Sequence, residues 1–249
     1  MNTTKTKSKE WFDEWFDSPY YHILYKHRDD TEAQRFMDNL SSFLHITPEH
    51  KIMDLACGKG RHSIYLNQKG FDVVGLDLSK ESIQHAQQFS NERLHFAVHD
   101  KRDVYKVEYF DYILNMFTSF GYFASEEEHI IALQAAAAGL KDGGRLVIDF
   151  FNTYKVLDAL VYKNEVVVGD LVFHLSRHIH EGAIVKKIEF EDQGKAYQFE
   201  ERVQAFTEQD FRRYFEVAHL KLLHLFGDYE LSCFDKQSSE RMIFIVEKE

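Results

Sequence analysis

Residues 51–79, KIMDLACGKGRHSIYLNQKGFDVVGLDLS, decide the fold of this chain. The segment begins with a compact apolar run, typical of a strand buried on both faces of a parallel sheet. A loop with two glycines follows, then a stretch that can form a helix closed by a glycine. A second apolar run ends in an acid. The pattern predicts a strand (51–56), a loop (57–60), a helix (61–68) and a second strand (71–78).

The loop and the acid indicate what this segment binds. Glycines let the backbone approach a ligand closely, and the amino terminus of the following helix presents N–H groups. Asp77, at the carboxyl end of the second strand, is placed to accept hydrogen bonds from ribose hydroxyls. A nucleoside-containing cofactor is therefore the leading ligand.

The details of the loop distinguish between such cofactors. The dinucleotide fingerprint G-x-G-x-x-G has a third glycine for tight packing of helix on strand. Here Gly58 and Gly60 fill the first two places, and Ser63 fills the third. Asp54 precedes the loop, where its charge would repel a diphosphate and favour a cation. These features disfavour NAD and favour a cofactor without phosphates.

Four segments of the chain carry a family resemblance. They are DLACGKG (54–60), VVGLDLS (73–79), LHFAVHD (94–100) and FDYILNMFTSFGY (110–122). In this order and at this spacing they resemble the motifs of class I S-adenosylmethionine-dependent methyltransferases, in particular the small-molecule type that includes sugar-amine and glycine N-methyltransferases. The resemblance covers roughly residues 20–150 and the closing segment 207–249.

The resemblance implies a cofactor site for S-adenosylmethionine. Asp77 would hold the ribose hydroxyls and Asp100 the adenine amino group, while backbone around Asn115 and Met116 would meet the methionine moiety. The glycine loop would line that moiety, with Asp54 nearby. The predicted cofactor-binding residues are Tyr21, Tyr25, Arg28, Asp54, Ala56, Gly58, Gly60, Arg61, Asp77, Leu78, Ser79, Asp100, Lys101, Asn115 and Met116.

Aromatic residues are the candidates for catalysis. The segment YYHILY (20–25) is similar to a family segment that forms a lid over the cofactor, and in some members the position of Tyr21 faces the reacting methyl. The alternative is that these tyrosines pack a helix onto the sheet edge. Tyr122, after the fourth strand, could bind the acceptor. Arg28 and Arg61 could pair with the methionyl carboxylate, since a guanidinium suits bidentate contact.

Composition narrows the possible partners. The chain has 249 residues, 44% of them hydrophobic, and a formal charge of −11, so general attraction to a nucleic-acid backbone is not expected. We expect no signal peptide and no membrane-spanning run. Two cysteines form neither a disulfide framework nor a metal-ligand pattern, which favours a reducing cytoplasm. His174, His178 and His180 share a strand face without a completing carboxylate or thiolate cluster, so no metal site is expected.

Five strands that alternate with helices up to residue 151 predict a doubly wound, mostly parallel, Rossmann-like sheet, and two further strands at 220–226 and 242–246 bring it to seven strands. The pattern then changes to period-two alternation with turn signals at 169–170, 181–182 and 193–194, which predicts a small antiparallel sheet inserted after the fifth strand. The family resemblance implies that the last two strands form an antiparallel hairpin. We expect an amino-terminal helical lid (1–45), a cofactor domain (46–151 and 207–249) and an insertion over the substrate pocket (152–206).

Together these features predict a cytoplasmic enzyme, a monomer or homodimer, that methylates a small molecule. Nitrogen is only slightly favoured over oxygen as the acceptor atom. An enclosed pocket suits a metabolite better than a polymer, and no nucleic-acid or membrane partner is expected. Two alternatives stay open at this point: an NAD(P)-dependent oxidoreductase, and a module that binds the cofactor without turnover.

Overall fold

The computed structural model describes residues 15–25 and 30–249. They form two compact units. The larger unit comprises residues 30–160 and 203–249, and the smaller one comprises residues 15–25 and 161–202. Among the described residues, none of the helices combines the length and apolar character needed to cross a membrane.

The larger unit is built on a seven-stranded sheet. Its strands are β1 (Lys51–Leu55), β2 (Asp72–Asp77), β3 (Leu94–Val98), β4 (Phe110–Asn115), β5 (Leu140–Phe151), β10 (Leu220–Phe226) and β11 (Arg241–Lys248). The order across the sheet is β10-β11-β5-β4-β1-β2-β3. Strands β1 to β5 run parallel to one another, and β11 is antiparallel to both β5 and β10. The predicted fold class is confirmed, including the closing hairpin.

Chain order reverses between β1 and β4, which lie side by side in the sheet. Met53 pairs with Val74 of β2 on one side and with Ile113 of β4 on the other. In open α/β sheets, ligands bind in the crevice outside the carboxyl ends of the strands at such a reversal. The loops that follow β1, β2 and β4 are therefore the expected walls of a site.

Helices cover both faces of this sheet. They are α2 (Asp30–Phe43), α3 (Arg61–Gln68), α4 (Lys80–Ala86), α5 (Glu126–Gly139), α6 (Thr153–Asp158) and α7 (Glu208–Val217). Side chains cap several of them: Ser79 accepts from the Ser82 N–H at α4, and Ser125 with Glu128 forms a capping box at α5. Such caps satisfy N–H groups that have no partner within the helix.

The amino-terminal region divides differently from the predicted 1–45 boundary. Helix α2 packs on the seven-stranded sheet, where Phe36, Met37, Leu40 and Leu44 are buried with Ile52 of β1. Its apolar residues recur at helical spacing and form one stripe, which is buried against the face of the sheet. Residues 15–25 belong instead to the smaller unit.

The smaller unit contains a four-stranded antiparallel sheet with helix α1 (Pro19–Leu24) packed against it. Its strands are β6 (Lys163–Val168), β7 (Leu171–His180), β8 (Ala183–Asp192) and β9 (Lys195–Gln204), in sequential order. All three predicted turns lie between these strands. Phe173 and Leu175 are buried while Val172 and His174 face solvent, so the predicted alternation is confirmed. Trp15 is buried against the same sheet.

Three local features differ from what the sequence pattern predicts. The pattern predicts the fifth strand over 145–151, whereas β5 starts at Leu140 and runs through Gly143 and Gly144. It also predicts a helix after Ser79 that carries Phe89 on its apolar side, but Phe89 is 46% exposed because α4 gives way to a 3-10 turn at Gln87–Phe89. Helix α6 lies where no element was predicted, capped by the Asn152 side chain.

Candidate functional site

The loop after β1 has a left-handed backbone at three positions. Ala56, Gly58 and Gly60 have φ values of 66°, 55° and 84°. A Cβ at Gly60 would lie 2.7 Å from the Phe96 ring, so only glycine fits there. A Cβ at Gly58 would meet no atom within 4 Å. Gly58 therefore borders open space, and a ligand can approach its backbone closely.

Asp77 closes this loop from the tip of β2. One carboxylate oxygen accepts from the Gly58 N–H at 2.8 Å, and the other accepts from the Ser79 N–H at 2.8 Å. These two bonds fix the orientation of the carboxylate beside the glycine loop. Leu78, next in the chain, is 39% exposed, and Ser79 caps α4. The structure thus brings Gly58, Asp77, Leu78 and Ser79 together, as the motifs predict.

Asp54 lies beneath the loop rather than on its surface. Its side chain is buried, and one oxygen accepts from the Ser63 hydroxyl at 2.6 Å. Burial raises the pKa of Asp54 to about 6, partly opposed by the Ser63 hydrogen bond. The serine that departs from the dinucleotide fingerprint is therefore the partner of Asp54.

The turn after β3 holds a carboxylate in an ion-pair network. Arg102 donates from Nη2 to Asp100 at 2.7 Å and pairs through Nη1 with Glu128 of α5. Asp100 is nearly buried in this arrangement, with its side chain 9% exposed. The fork of the guanidinium fixes the plane of the carboxylate. Arg102 and Glu128 were not predicted from the sequence as the residues that position Asp100.

Lys101 extends towards the loop after β4. Its ammonium donates to the Ser119 carbonyl and lies 5.6 Å from the centre of the Tyr122 ring and 5.0 Å from that of Phe123. Burial lowers the pKa of Lys101 to about 8, although Asp77 and Asp100 attract the charge. Lys101 and Tyr122, predicted separately, are thus neighbours.

The loop after β4 is the second wall of the crevice. Asn115 donates from Nδ2 to the Leu55 carbonyl of β1 at 2.9 Å, and Met116 is buried. Phe117 and Thr118 then adopt positive φ values of 53° and 59°. Such values in residues with a Cβ are strained and persist only where the surroundings enforce them.

Arg61 connects the two loops. Its guanidinium lies over the Phe117 ring, 5.0 Å from the ring centre. The neighbouring His62 ring stacks on the same phenylalanine at 4.9 Å. The amino terminus of α3, which follows the loop after β1, therefore contacts the loop after β4. These are two of the segments that would enclose a cofactor.

The tyrosines of the predicted lid lie in the smaller unit. Tyr21 packs edge-on against Trp15 at 5.7 Å, and the Tyr25 hydroxyl donates to Glu201 at 2.7 Å. Lys186 pairs with the same glutamate at 2.5 Å. Arg28 lies outside the described residues, and the binding roles of Tyr21 and Tyr25 stay predictions.

Two of the three histidines of β7 lie beside carboxylates at the surface. His174 lies 3.0 Å from Glu165, and His180 lies 3.7 Å from Glu181. Within residues 15–25 and 30–249, no group of three or more histidine, cysteine or acidic residues is arranged to hold a metal ion.

The residues present fit an adenosyl sulfonium cofactor. Its ribose needs a fixed hydrogen-bond acceptor, which the Asp77 carboxylate provides, and its close approach needs the space beside Gly58. The Asn115 Oδ1 atom is buried and has no donor among the described residues, so a ligand ammonium is a suitable partner for it. A buried carboxylate beneath the loop also suits a cation better than a diphosphate.

Known proteins match this architecture. Residues 52–144 match the family model described as a methyltransferase domain. A putative methyltransferase, YqeM, of Bacillus subtilis is 33% identical over 43% of this chain and 45% of its own length. The dTDP-3-amino-3,4,6-trideoxy-alpha-D-glucopyranose N,N-dimethyltransferase of Streptomyces venezuelae is 30% identical over 52% of this chain and 54% of its own length.

The fold match extends further than the sequence match. The crystal structure of an S-adenosylmethionine-dependent methyltransferase from Clostridium acetobutylicum aligns with a TM-score of 0.78 at 21% identity, over 92% of this chain and 96% of that one. The sequence matches cover only about half of the length of the curated relatives. The resemblance predicted from the motifs is confirmed over this domain: residues 52–144 match a methyltransferase domain, with S-adenosylmethionine as the cofactor, and the fold is that of S-adenosylmethionine-dependent methyltransferases.

Proposed function

We propose that this chain transfers a methyl group from S-adenosylmethionine to a small-molecule acceptor, with nitrogen slightly favoured over oxygen. The observation that carries the proposal is the arrangement at the strand tips, where the Asp77 carboxylate is fixed between two backbone N–H groups beside the open space at Gly58. The sugar-amine dimethyltransferase of Streptomyces venezuelae, by its name, methylates nitrogen on a small molecule.

The chain's own residues bind and orient in this proposal. The bound cofactor supplies an electrophilic methyl group on a sulfonium. Asp77 accepts from the ribose hydroxyls, Asp100 from the adenine amino group, and the loops around Gly58 and Asn115 hold the methionyl end. Methyl transfer is a direct displacement, so alignment of donor and acceptor is the main requirement on the protein.

Aromatic side chains complete the proposed site. Tyr122, beside Lys101, would orient the acceptor. Tyr21 and Tyr25 would contribute from the lid predicted for residues 1–45, and residues 152–206 would cover the acceptor. Ring faces and carbonyl oxygens suit a sulfonium because they attract its charge. Substitution of Tyr21 or Tyr122 by phenylalanine tests these roles through methyl-transfer rates.

The charge and composition of the chain support a metabolite as the acceptor. A formal charge of −11 gives no general attraction for nucleic acid, and two cysteines fit a reducing compartment such as the cytoplasm. A monomer or homodimer fits the proposal, and light scattering distinguishes the two.

Calorimetry followed by an acceptor screen tests the proposal. We expect S-adenosylhomocysteine to bind and NADH not to bind, and labelled methyl groups from S-adenosylmethionine to appear on an amine in a panel of amine and hydroxyl metabolites. Binding of NADH without S-adenosylhomocysteine would refute the methyltransferase function. Cofactor binding without transfer to any acceptor would favour a non-catalytic module.

A further inference from the structure

A column of four aromatic rings crosses the strand tips of the larger unit. Phe36 of α2 stacks on Tyr229 at 4.4 Å, and Tyr229 meets Phe117 at 5.5 Å. Phe117 in turn stacks on His62 at 4.9 Å, with the two rings only 14° from parallel. The column joins α2, the connection between β10 and β11, the loop after β4 and the start of α3.

A buried carboxylate lies beside this column. Asp149 of β5 is fully buried and accepts three hydrogen bonds from side chain and backbone donors. The Phe117 N–H donates to it at 2.8 Å, the Arg241 Nε at 2.7 Å and the Tyr229 hydroxyl at 3.2 Å. Arg241 also donates from Nη2 to the Thr118 hydroxyl at 3.0 Å. The charge of Asp149 is thus neutralised within the protein.

These contacts converge on the strained part of the loop. Phe117 and Thr118 are the residues with positive φ, a conformation that is strained for a residue with a Cβ. The Asp149 carboxylate accepts from the Phe117 N–H, and Arg241 donates to the Thr118 hydroxyl. The Asp149 carbonyl also accepts from the Thr118 N–H at 2.8 Å. The cluster therefore imposes a conformation that the loop would not adopt by itself.

The Tyr229 hydroxyl is a donor in this cluster. Burial and the nearby charge of Asp149 raise the pKa of Tyr229 well above its usual value, so the hydroxyl stays protonated. Its backbone carbonyl accepts from the Asn39 side chain of α2 at 2.9 Å. Tyr229 is thus fixed at both ends, between helix α2 and the Asp149 carboxylate.

We propose that Asp149, Arg241 and Tyr229 are positioning residues that hold the loop at 116–118 in the conformation that contacts the methionyl end of the cofactor. This inference rests on the proposed function. The three side chains act through the loop, because their hydrogen bonds go to Phe117, Thr118 and one another. The loop directly follows Asn115, whose buried Oδ1 accepts no hydrogen bond from any of the described residues.

Binding of two different ligands can be measured to test the adenosine half and the methionyl half of the site independently. Adenosine contains only the part assigned to Asp77 and Asp100, whereas S-adenosylhomocysteine also contains the methionyl part. A residue that positions the loop at 116–118 should affect the second ligand and spare the first. A merely structural residue would affect both alike, or neither.

Tyr229→Phe is the test variant, because it removes one hydrogen bond to Asp149 and keeps the stacked ring. Tyr65→Phe is the matched control: it removes a tyrosine hydroxyl that donates to Asp38 at 2.9 Å, in the same unit. By calorimetry we expect Tyr229→Phe to raise the Kd of S-adenosylhomocysteine about three- to tenfold, the effect of one such hydrogen bond, and to leave the Kd of adenosine unchanged. Tyr65→Phe should change neither Kd.

The results distinguish the two levels of inference. If the unaltered chain does not bind S-adenosylhomocysteine, the proposed function fails. If it binds but Tyr229→Phe leaves the ratio of the two Kd values unchanged, or Tyr65→Phe shifts it equally, the positioning role fails. Asp149→Asn would leave the Arg241 guanidinium without its charge partner, so it is interpreted only after urea unfolding shows a folded protein.

Discussion

Ser63 shows how much one residue can change the chemistry of a glycine loop. It stands where a dinucleotide-binding loop has its third glycine, and its hydroxyl donates to the buried Asp54 at 2.6 Å. A carboxylate without such a donor would be costly to bury. The serine therefore permits an acid directly beneath the loop, where it disfavours a diphosphate.

The raised pKa of Asp54 gives a pH dependence of stability. The folded value is about 6, against an ordinary value of 3.8, so the folded state holds this proton more tightly than the unfolded chain. The resulting stabilisation is complete below about pH 4 and is lost as the pH rises through 6. Relative to Asp54→Asn, the free energy of unfolding should fall by about 2 kcal/mol from pH 4 to pH 7.

Urea unfolding of both proteins at intervals across this range measures the difference directly. Asp54→Asn is a suitable reference because its amide oxygen can still accept from Ser63. Curves that run parallel from pH 4 to pH 7 would show that Asp54 titrates normally.

Asp77 carries the second prediction at this scale. Asp77→Ala removes the carboxylate assigned to the ribose hydroxyls and should weaken S-adenosylhomocysteine binding by about 1–3 kcal/mol, the range for hydrogen bonds to charged groups. Asp72→Ala is the control, since Asp72 begins the same strand and pairs with Lys51 at its opposite end. Calorimetry should show a loss only for Asp77→Ala, and equal losses would contradict the assignment.

At the scale of elements, a substitution in the glycine loop after β1 can distinguish backbone strain from loss of contact with the ligand. Gly58→Ala places a methyl group in open space at φ 55°, and Gly143→Ala does the same at φ 70° in β5. Both should lower the free energy of unfolding by about 1–2 kcal/mol. Only the methyl group at position 58 would enter the cofactor space, so only Gly58→Ala should raise the Kd of S-adenosylhomocysteine, at least tenfold.

Thermal or urea unfolding measures the strain, and calorimetry measures the affinity. Equal stability losses with unchanged affinity in both variants would mean that the cofactor does not approach Gly58.

The elements that local patterns could predict are those fixed by local chemistry. Helix α3 was predicted at its observed bounds because a glycine loop precedes it and Gly70 follows it. The turns of the inserted sheet were predicted because Gly169, Gly182 and Gly194 supply the positive φ that such turns need. By contrast, the ion pair of Asp149 with Arg241 joins residues 92 positions apart, and only the pairing of β5 with β11 brings them together.

The candidate site follows the same division. The motif residues at the tips of β1, β2 and β4 were predicted, because each comes directly after a recognisable strand. Their supports were not: Arg102 and Glu128 behind Asp100, and Tyr229 behind the loop after β4, come from separate elements. No local periodicity distinguishes such residues from surface charges or core aromatics.

At the scale of the whole molecule, spectroscopic signals distinguish the smaller unit from the rest of the chain. The chain has two tryptophans, Trp11 and Trp15, and Trp15 is buried in the smaller unit. Its indole N–H donates to Glu201, which also accepts from the Tyr25 hydroxyl and pairs with Lys186. Tryptophan fluorescence therefore monitors the packing of residues 15–25 on the four-stranded sheet, while circular dichroism monitors the whole chain.

Glu201→Gln tests this network. The substitution removes the negative charge that the Trp15 indole, the Tyr25 hydroxyl and the nearly buried Lys186 ammonium share, and hydrogen bonds to charged groups contribute about 1.5–3 kcal/mol each. We expect the fluorescence-monitored urea transition to move to lower urea, with red-shifted emission in the absence of urea as Trp15 becomes exposed. Glu165→Gln is the control, because Glu165 pairs with His174 on the exposed surface of the same sheet and such pairs contribute little. A fluorescence transition that stays in place for Glu201→Gln would mean that apolar burial of Trp15 alone holds the segment.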